Sequence, residues 1–144
     1  MWQRSIWAWR LIRALIIGVI IVCGLLLRRF GYDLDLSFFT VKYGGSVLWG
    51  GMVFFIVVFA AGPRRILLSA LIALVIAVCV EFSRLYHTPH LDAFRLTLAG
   101  KLLLGRVFSL WNIFAYAMGI GLAVVVEICV SRLTTIKVEA VGRK

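Results

Sequence analysis

Glu81 ends a long apolar run, and behind it come Arg84, Tyr86, His87, Arg95, Thr97, Lys101, Arg106, Asn112 and Tyr116. So many cations around one acid suit the holding of an anion. Guanidinium groups make forked contacts with phosphate or carboxylate, and a lysine adds a compact charge. In this reading Arg84, Arg95, Lys101 and Arg106 neutralise a phosphate, and Glu81 holds an arginine in place. Tyr86, Thr97, Asn112 and Tyr116 supply neutral hydrogen bonds, with His87 beside them. Acid–base chemistry would need Glu81 with His87 or His90, tuned by burial. No spacing demands it, and nothing orients an imidazole toward Ser83 as a triad requires. His87, His90, Asp92 and Glu81 are weak metal ligands on a proline-containing turn. No catalytic set, metal or cofactor is assigned.

The elements that carry these residues are set by hydropathy. Four stretches, Ala14–Leu27, Tyr43–Pro63, Ile66–Val80 and Val107–Val126, contain no charge. A spanning helix needs ~20 mostly apolar residues, and each stretch reaches that length alone or with its flanks. The fold class is all-α: a polytopic membrane bundle of four transmembrane helices, with a short interfacial or re-entrant helix before the last span. The 144 residues form a single transmembrane domain, with spans near 11–27, 44–61, 66–83 and 110–131. The chain is 63% hydrophobic with mean hydropathy +1.05, beyond the ~45–50% apolar content of soluble domains. Helix two stops at Gly62-Pro63, so helices two and three form a tight antiparallel pair. The stretch from Arg84 to Ser109 is too short and too charged to cross, and is expected to break near Gly100 and Gly105. The tail from Arg132 is expected to be irregular.

The net charge is +10. Without a soluble basic module it points to anionic lipid headgroups and not to nucleic acid. Nine Lys and Arg flank the spans on the side of the termini and seven on the other. The positive-inside rule then puts both termini in the cytoplasm of a bacterial inner membrane. Met1–Leu27 resembles a secretory leader, but no small-x-small cleavage site follows it, so it reads as a retained span. Cys23, Cys79 and Cys129 lie within apolar runs without paired spacing, as small hydrophobes and not as disulfide or zinc partners.

Two helices carry small residues four apart: Ser69, Ala73, Ala77 and Glu81, then Ala115, Gly119, Ala123 and Glu127. Such stripes let helices approach closely in lipid. Laid antiparallel, they put Glu81 beside Asn112, Ala115 and Tyr116, and Ser69 beside Glu127. A carboxylate in the membrane needs a partner. For Glu81 the candidates are Arg84, Arg95 and Arg106; for Glu127 they are Arg10, Arg13 and Arg132.

Read in order, Tyr43-Gly44-Gly45-Ser46-Val47-Leu48-Trp49, Glu81-Phe82-Ser83-Arg84-Leu85-Tyr86 and Leu91-Asp92-Ala93-Phe94-Arg95-Leu96-Thr97 form a pattern. Leu104-Gly105-Arg106-Val107-Phe108 and Asn112-Ile113-Phe114-Ala115-Tyr116 with Gly119 complete it. From about Gly31 to Gly121 the chain resembles the bacterial membrane family called domain of unknown function 2809, itself similar to the VanZ-like proteins. The resemblance implies an inner-membrane bundle of about four helices and little chemistry; the VanZ-like relatives are associated with glycopeptide tolerance and the cell envelope. Ser46 stands where that pattern leads us to expect an acid, Arg84 where it has Gln, and Asn112 where it has Asp. These departures make a pocket more positive.

Three functions follow in rank. The first is a module that holds an anionic envelope lipid, polyprenyl phosphate or lipid-linked precursor in an outward-facing basic pocket. The second is a small accessory subunit of a larger membrane complex. The third is an envelope-modifying enzyme.

Overall fold

The computed structural model describes residues 2–62, 65–105 and 107–142, with side chains described for 7–62, 65–97, 99–100, 103–105 and 107–132. Arg64 and Arg106 lie outside the described residues, as does the side chain of Lys101. All regular structure among the described residues is helical: α1 (Trp2–Phe30), α2 (Phe38–Ala61), α3 (Ile66–Ser83), α4 (Pro89–Leu96), α5 (Leu98–Leu103) and α6 (Leu110–Gly142). Four segments, Trp7–Phe30, Phe38–Ala61, Ile66–Ser83 and Leu110–Arg132, are long and apolar enough to cross a membrane. The chain is a multi-pass helical membrane protein.

Three boundaries differ from the sequence reading. The first helix runs from Trp2 to Phe30, since its flanking Trp and Arg residues are good helix formers or tolerated there. The second starts at Phe38, because Ser37 caps it by accepting a hydrogen bond from the Thr40 amide at 3.2 Å. The last helix runs through the polar tail to Gly142, where no proline or glycine interrupts it. Helix three matches its expected span, 66–83. At the end of α2, Gly62 takes a φ of +85° and its amide bonds Val58 O at 2.8 Å, a glycine stop.

The connection after α3 holds two short helices, not one. Thr88 caps α4 at the Leu91 amide, with Pro89 in the first turn. Thr97 ends α4 and caps α5 at the Gly100 amide. The break therefore falls at Thr97, and Gly100 lies inside α5. Gly105, at φ +66°, makes the second break.

Helix α2 packs against α1, α3 and α6, and is the most buried of the four spans, while α1 is the least. Both small-residue stripes are buried along their length: Ser69, Ala73, Ala77 and Glu81, and Ala115, Gly119, Ala123 and Glu127. The closest approach of α6 is nevertheless to α2. A side chain at Gly50 would strike the Tyr116 backbone at 2.6–3.1 Å, and one at Gly119 would overlap Val47 O. In lipid, helices gain nothing from exchanging lipid tails for leucine, so such backbone proximity carries the association. Phe54, Phe55, Val58, Ala73, Ile120 and Ala123 fill the centre. The three cysteines are exposed on the outer helix faces and not packed inside.

Candidate functional site

Glu81, in the last turn of α3, is wholly buried. Both of its oxygens are engaged. Oε1 accepts from the Ser109 amide at 2.7 Å and from Asn112 Nδ2 at 3.0 Å. Oε2 accepts from the Tyr116 hydroxyl at 2.9 Å and pairs with Arg84 Nη1 at 2.6 Å. Such a carboxylate is as fully compensated as a buried charge can be.

Arg84 ties this centre to the chain above it. Its guanidinium donates to Leu104 O, to Val107 O at 3.2 Å and to the Tyr116 hydroxyl at 2.8 Å. Tyr116 thus accepts a hydrogen bond from Arg84 and donates one to Glu81. Gly105 lies flat against the guanidinium: a Cβ there would sit 2.7 Å from Nη2. Asn112 Oδ1 in turn accepts from Ser46 Oγ at 3.3 Å, a proton Ser46 shares with Lys42 O at 3.2 Å. The network therefore links α2, α3 and α6.

Beside it opens a cavity of about 410 Å³, within the usual range for small-ligand sites. Its inner wall is Ser46, Trp49, Arg84, Asn112 and Tyr116, and its mouth carries Arg28, Tyr32, Phe38 and Lys42. The Trp49 and Tyr116 rings are 4.9 Å apart. Among the described residues, three cations line the cavity and no Asp or Glu does. Ser46, Arg84 and Asn112, the three departures noted in the sequence, all line it.

The residues of the sequence-derived set divide accordingly. Glu81, Arg84, Asn112 and Tyr116 come together. Arg95 is buried but serves the chain turn after α3: it donates to Ser83 O at 2.6 Å, Tyr86 O at 2.9 Å and Asp92 Oδ1 at 3.0 Å. Tyr86, His87 and Thr97 are exposed, and Thr97 is spent on capping. His87 Nδ1 lies 3.2 Å from Asp92. Partial burial pushes the Asp92 carboxyl up, but hydrogen bonds from His87 and Arg95, with their charges, hold it below the ordinary carboxylate value. Arg106 and the side chain of Lys101 lie outside the described residues. Among the described residues no three His, Cys, Asp or Glu side chains gather.

Arg28, Lys42, Ser46 and Trp49 were missed as site members. One signal was available: Lys42, Gly45, Ser46 and Trp49 recur at the spacing of one helical face, and all four line the cavity.

A second buried ion pair lies toward the other end of the bundle. Arg13 clamps Glu127 through Nε at 3.1 Å and Nη2 at 2.7 Å, with Ser131 Oγ donating to the same carboxylate at 2.9 Å. Both charged side chains are fully buried. Trp9 stacks on the guanidinium at 4.5 Å. Of the three arginines considered for Glu127, Arg13 is the one that pairs with it.

Residues 36–120, more than half of the chain, match the family model described as Protein of unknown function (DUF2809). The chain belongs to this family. The matched segment contains α2 to α5 and the start of α6, and so both Glu81 and most of the cavity wall. No solved structure matches the DUF2809 chain.

Proposed function

We propose that this protein is a membrane module that holds the headgroup of an anionic amphiphile in the cavity between α1, α2 and α6. The observation that carries the reading is the cavity lining: Arg28, Lys42 and Arg84, with no carboxylate among the described residues. Glu81 cancels much of the Arg84 charge, which leaves Lys42, without an acid partner among the described residues, as the excess at the mouth. The ligand class is a phospholipid headgroup, a polyprenyl phosphate or a lipid-linked envelope precursor. The kinship with VanZ-like proteins, a bacterial inner membrane and a cytoplasmic position for both termini complete the proposal. In that orientation the cavity faces outward. The α4–α5 pair then lies at the outer membrane interface.

An enzymatic role is less well supported, because both Glu81 oxygens are engaged and neither is placed as a general base. Lipid alone accounts for the exposed apolar helix faces, so nothing specific favours an accessory subunit. The test is native mass spectrometry of protein extracted in mild detergent, with phosphatidylglycerol added. Wild type is expected to retain the lipid, Lys42→Ala to lose about tenfold, as for one charged hydrogen bond, and Lys42→Arg to recover. A wild type that holds no anionic lipid, or a Lys42→Ala variant that holds it equally, removes the proposal. Arg95→Ala is a poor probe, since Arg95 binds the carbonyls after α3.

A further inference from the structure

The cavity has a feature beyond its cations: the ends of the helices around it. Phe38, Val41 and Lys42 belong to the first turns of α2, and Asn112 to the first turn of α6. Two helix N-termini, each with partial positive charge, thus adjoin one cavity. The opposite pole is covered. Arg95 binds Ser83 O, the last carbonyl of α3, and Tyr86 O in the turn after it. The acid paired with Arg84 is also held back. Glu81 accepts four donors and cannot turn to meet an ammonium without abandoning Arg84. Lys42 has no acid partner among the described residues; its Nζ rests 5.5 Å from the Phe38 ring and 5.2 Å from the Tyr43 ring.

We infer that the cavity sorts headgroups by net charge, accepting a phosphodiester with neutral substituents and refusing a zwitterion, with Lys42 as the residue that sets the preference. This rests on the anionic-amphiphile reading above and narrows it. A phosphate is favoured by the charged residues of the described lining and by the N-terminus of α2, while Glu81 already faces that of α6. An ammonium on the same headgroup meets cations on the wall and finds no carboxylate among the described lining residues. Aromatic rings would attract it, but Lys42 already lies over the Phe38 ring, and Tyr32, Trp49 and Tyr116 share the cavity with Arg28, Lys42 and Arg84, which repel an ammonium. The volume of about 410 Å³ exceeds what a bare phosphate fills, so the substituent beyond the phosphorus lies inside the cavity and is read there.

The experiment reconstitutes the full chain in nanodiscs of phosphatidylcholine doped with equal phosphatidylglycerol and phosphatidylethanolamine, then measures lipids retained on native mass spectrometry. Wild type is expected to retain the glycerol lipid about tenfold over the ethanolamine lipid, a difference of about 1.4 kcal/mol. Lys42→Glu is expected to bring the ratio to one or invert it, and Lys42→Gln to reduce it. The conservative Lys42→Gln also serves if Lys42→Glu fails to fold. Equal retention of both lipids by wild type overturns the sorting while leaving the anionic-amphiphile reading in place. Retention of neither lipid overturns that reading itself. Displacement of phosphatidylglycerol by millimolar inorganic phosphate shows a site that reads phosphate alone and overturns the headgroup assignment; no displacement supports it.

Discussion

At the residue scale, the Glu81 centre is an ion pair whose worth lies in completeness. Removing one member of a buried pair costs about 3–5 kcal/mol, because the other is stranded. Glu81→Ala would leave Arg84, Asn112, Tyr116 and the Ser109 amide each short of an acceptor. It is expected to destabilise the bundle by about that amount in reversible unfolding from mixed micelles. Adding Arg84→Met is expected to restore part of the loss, a coupling of the sign that double-variant cycles report for contacting charges. Additive losses would mean that the two side chains act separately. The sequence placed Glu81, Arg84, Asn112 and Tyr116 near one another because each is polar in an apolar helix and the stripe spacing aligned them. It gave no sign of Arg28, and of Lys42 only its place on one helical face with Gly45, Ser46 and Trp49. Those residues join the cavity only once α1 and α2 are packed, and a cation at a helix end is ordinary in any membrane protein. Arg95 misled for a related reason: its charge suggested a ligand, whereas backbone carbonyls after α3 claim it.

At the scale of elements, the Gly50–Gly51 and Gly119 crossing decides how α2 meets α6. The four-residue periodicity of small residues made both buried stripes legible. Which helix each stripe would meet was not, since a small-residue stripe fits any neighbour that approaches closely. Gly119→Val would drive a branched side chain into the Val47 backbone and is expected to cost about 1–3 kcal/mol by overpacking. It would also displace Tyr116 from Trp49, and so should weaken lipid retention along with stability. Gly121→Ala, which meets nothing within 4 Å, is the matched control and should be near neutral. Equal melting temperatures for the two variants would show that the crossing does not bear on stability.

At the scale of the whole molecule, the two buried ion pairs belong to opposite ends of the bundle and do different work. Asn112 serves one and Glu127 the other, so they are separated by about 22 Å along α6 at 1.5 Å per residue. The Arg13–Glu127 clamp joins α1, the least buried span, to α6. It ties to α6 a helix whose packing is otherwise mainly against α2. The Glu81–Arg84 pair lies behind the cavity and beneath Gly105. With no shared partner, the two should contribute independently. The expected result is that Glu81→Ala and Glu127→Ala destabilise additively within ~0.5 kcal/mol. Glu127→Ala should leave the phosphatidylglycerol preference intact, provided α1 stays docked, because no residue of that clamp lines the cavity. Crosslinking between α1 and α2 through cysteines placed at Leu27 and Gly44, which adjoin in the fold, reports whether α1 has remained. If α1 is docked and the preference nevertheless disappears, the clamp communicates with the cavity along the bundle, and the separation of a holding end from an assembling end is wrong.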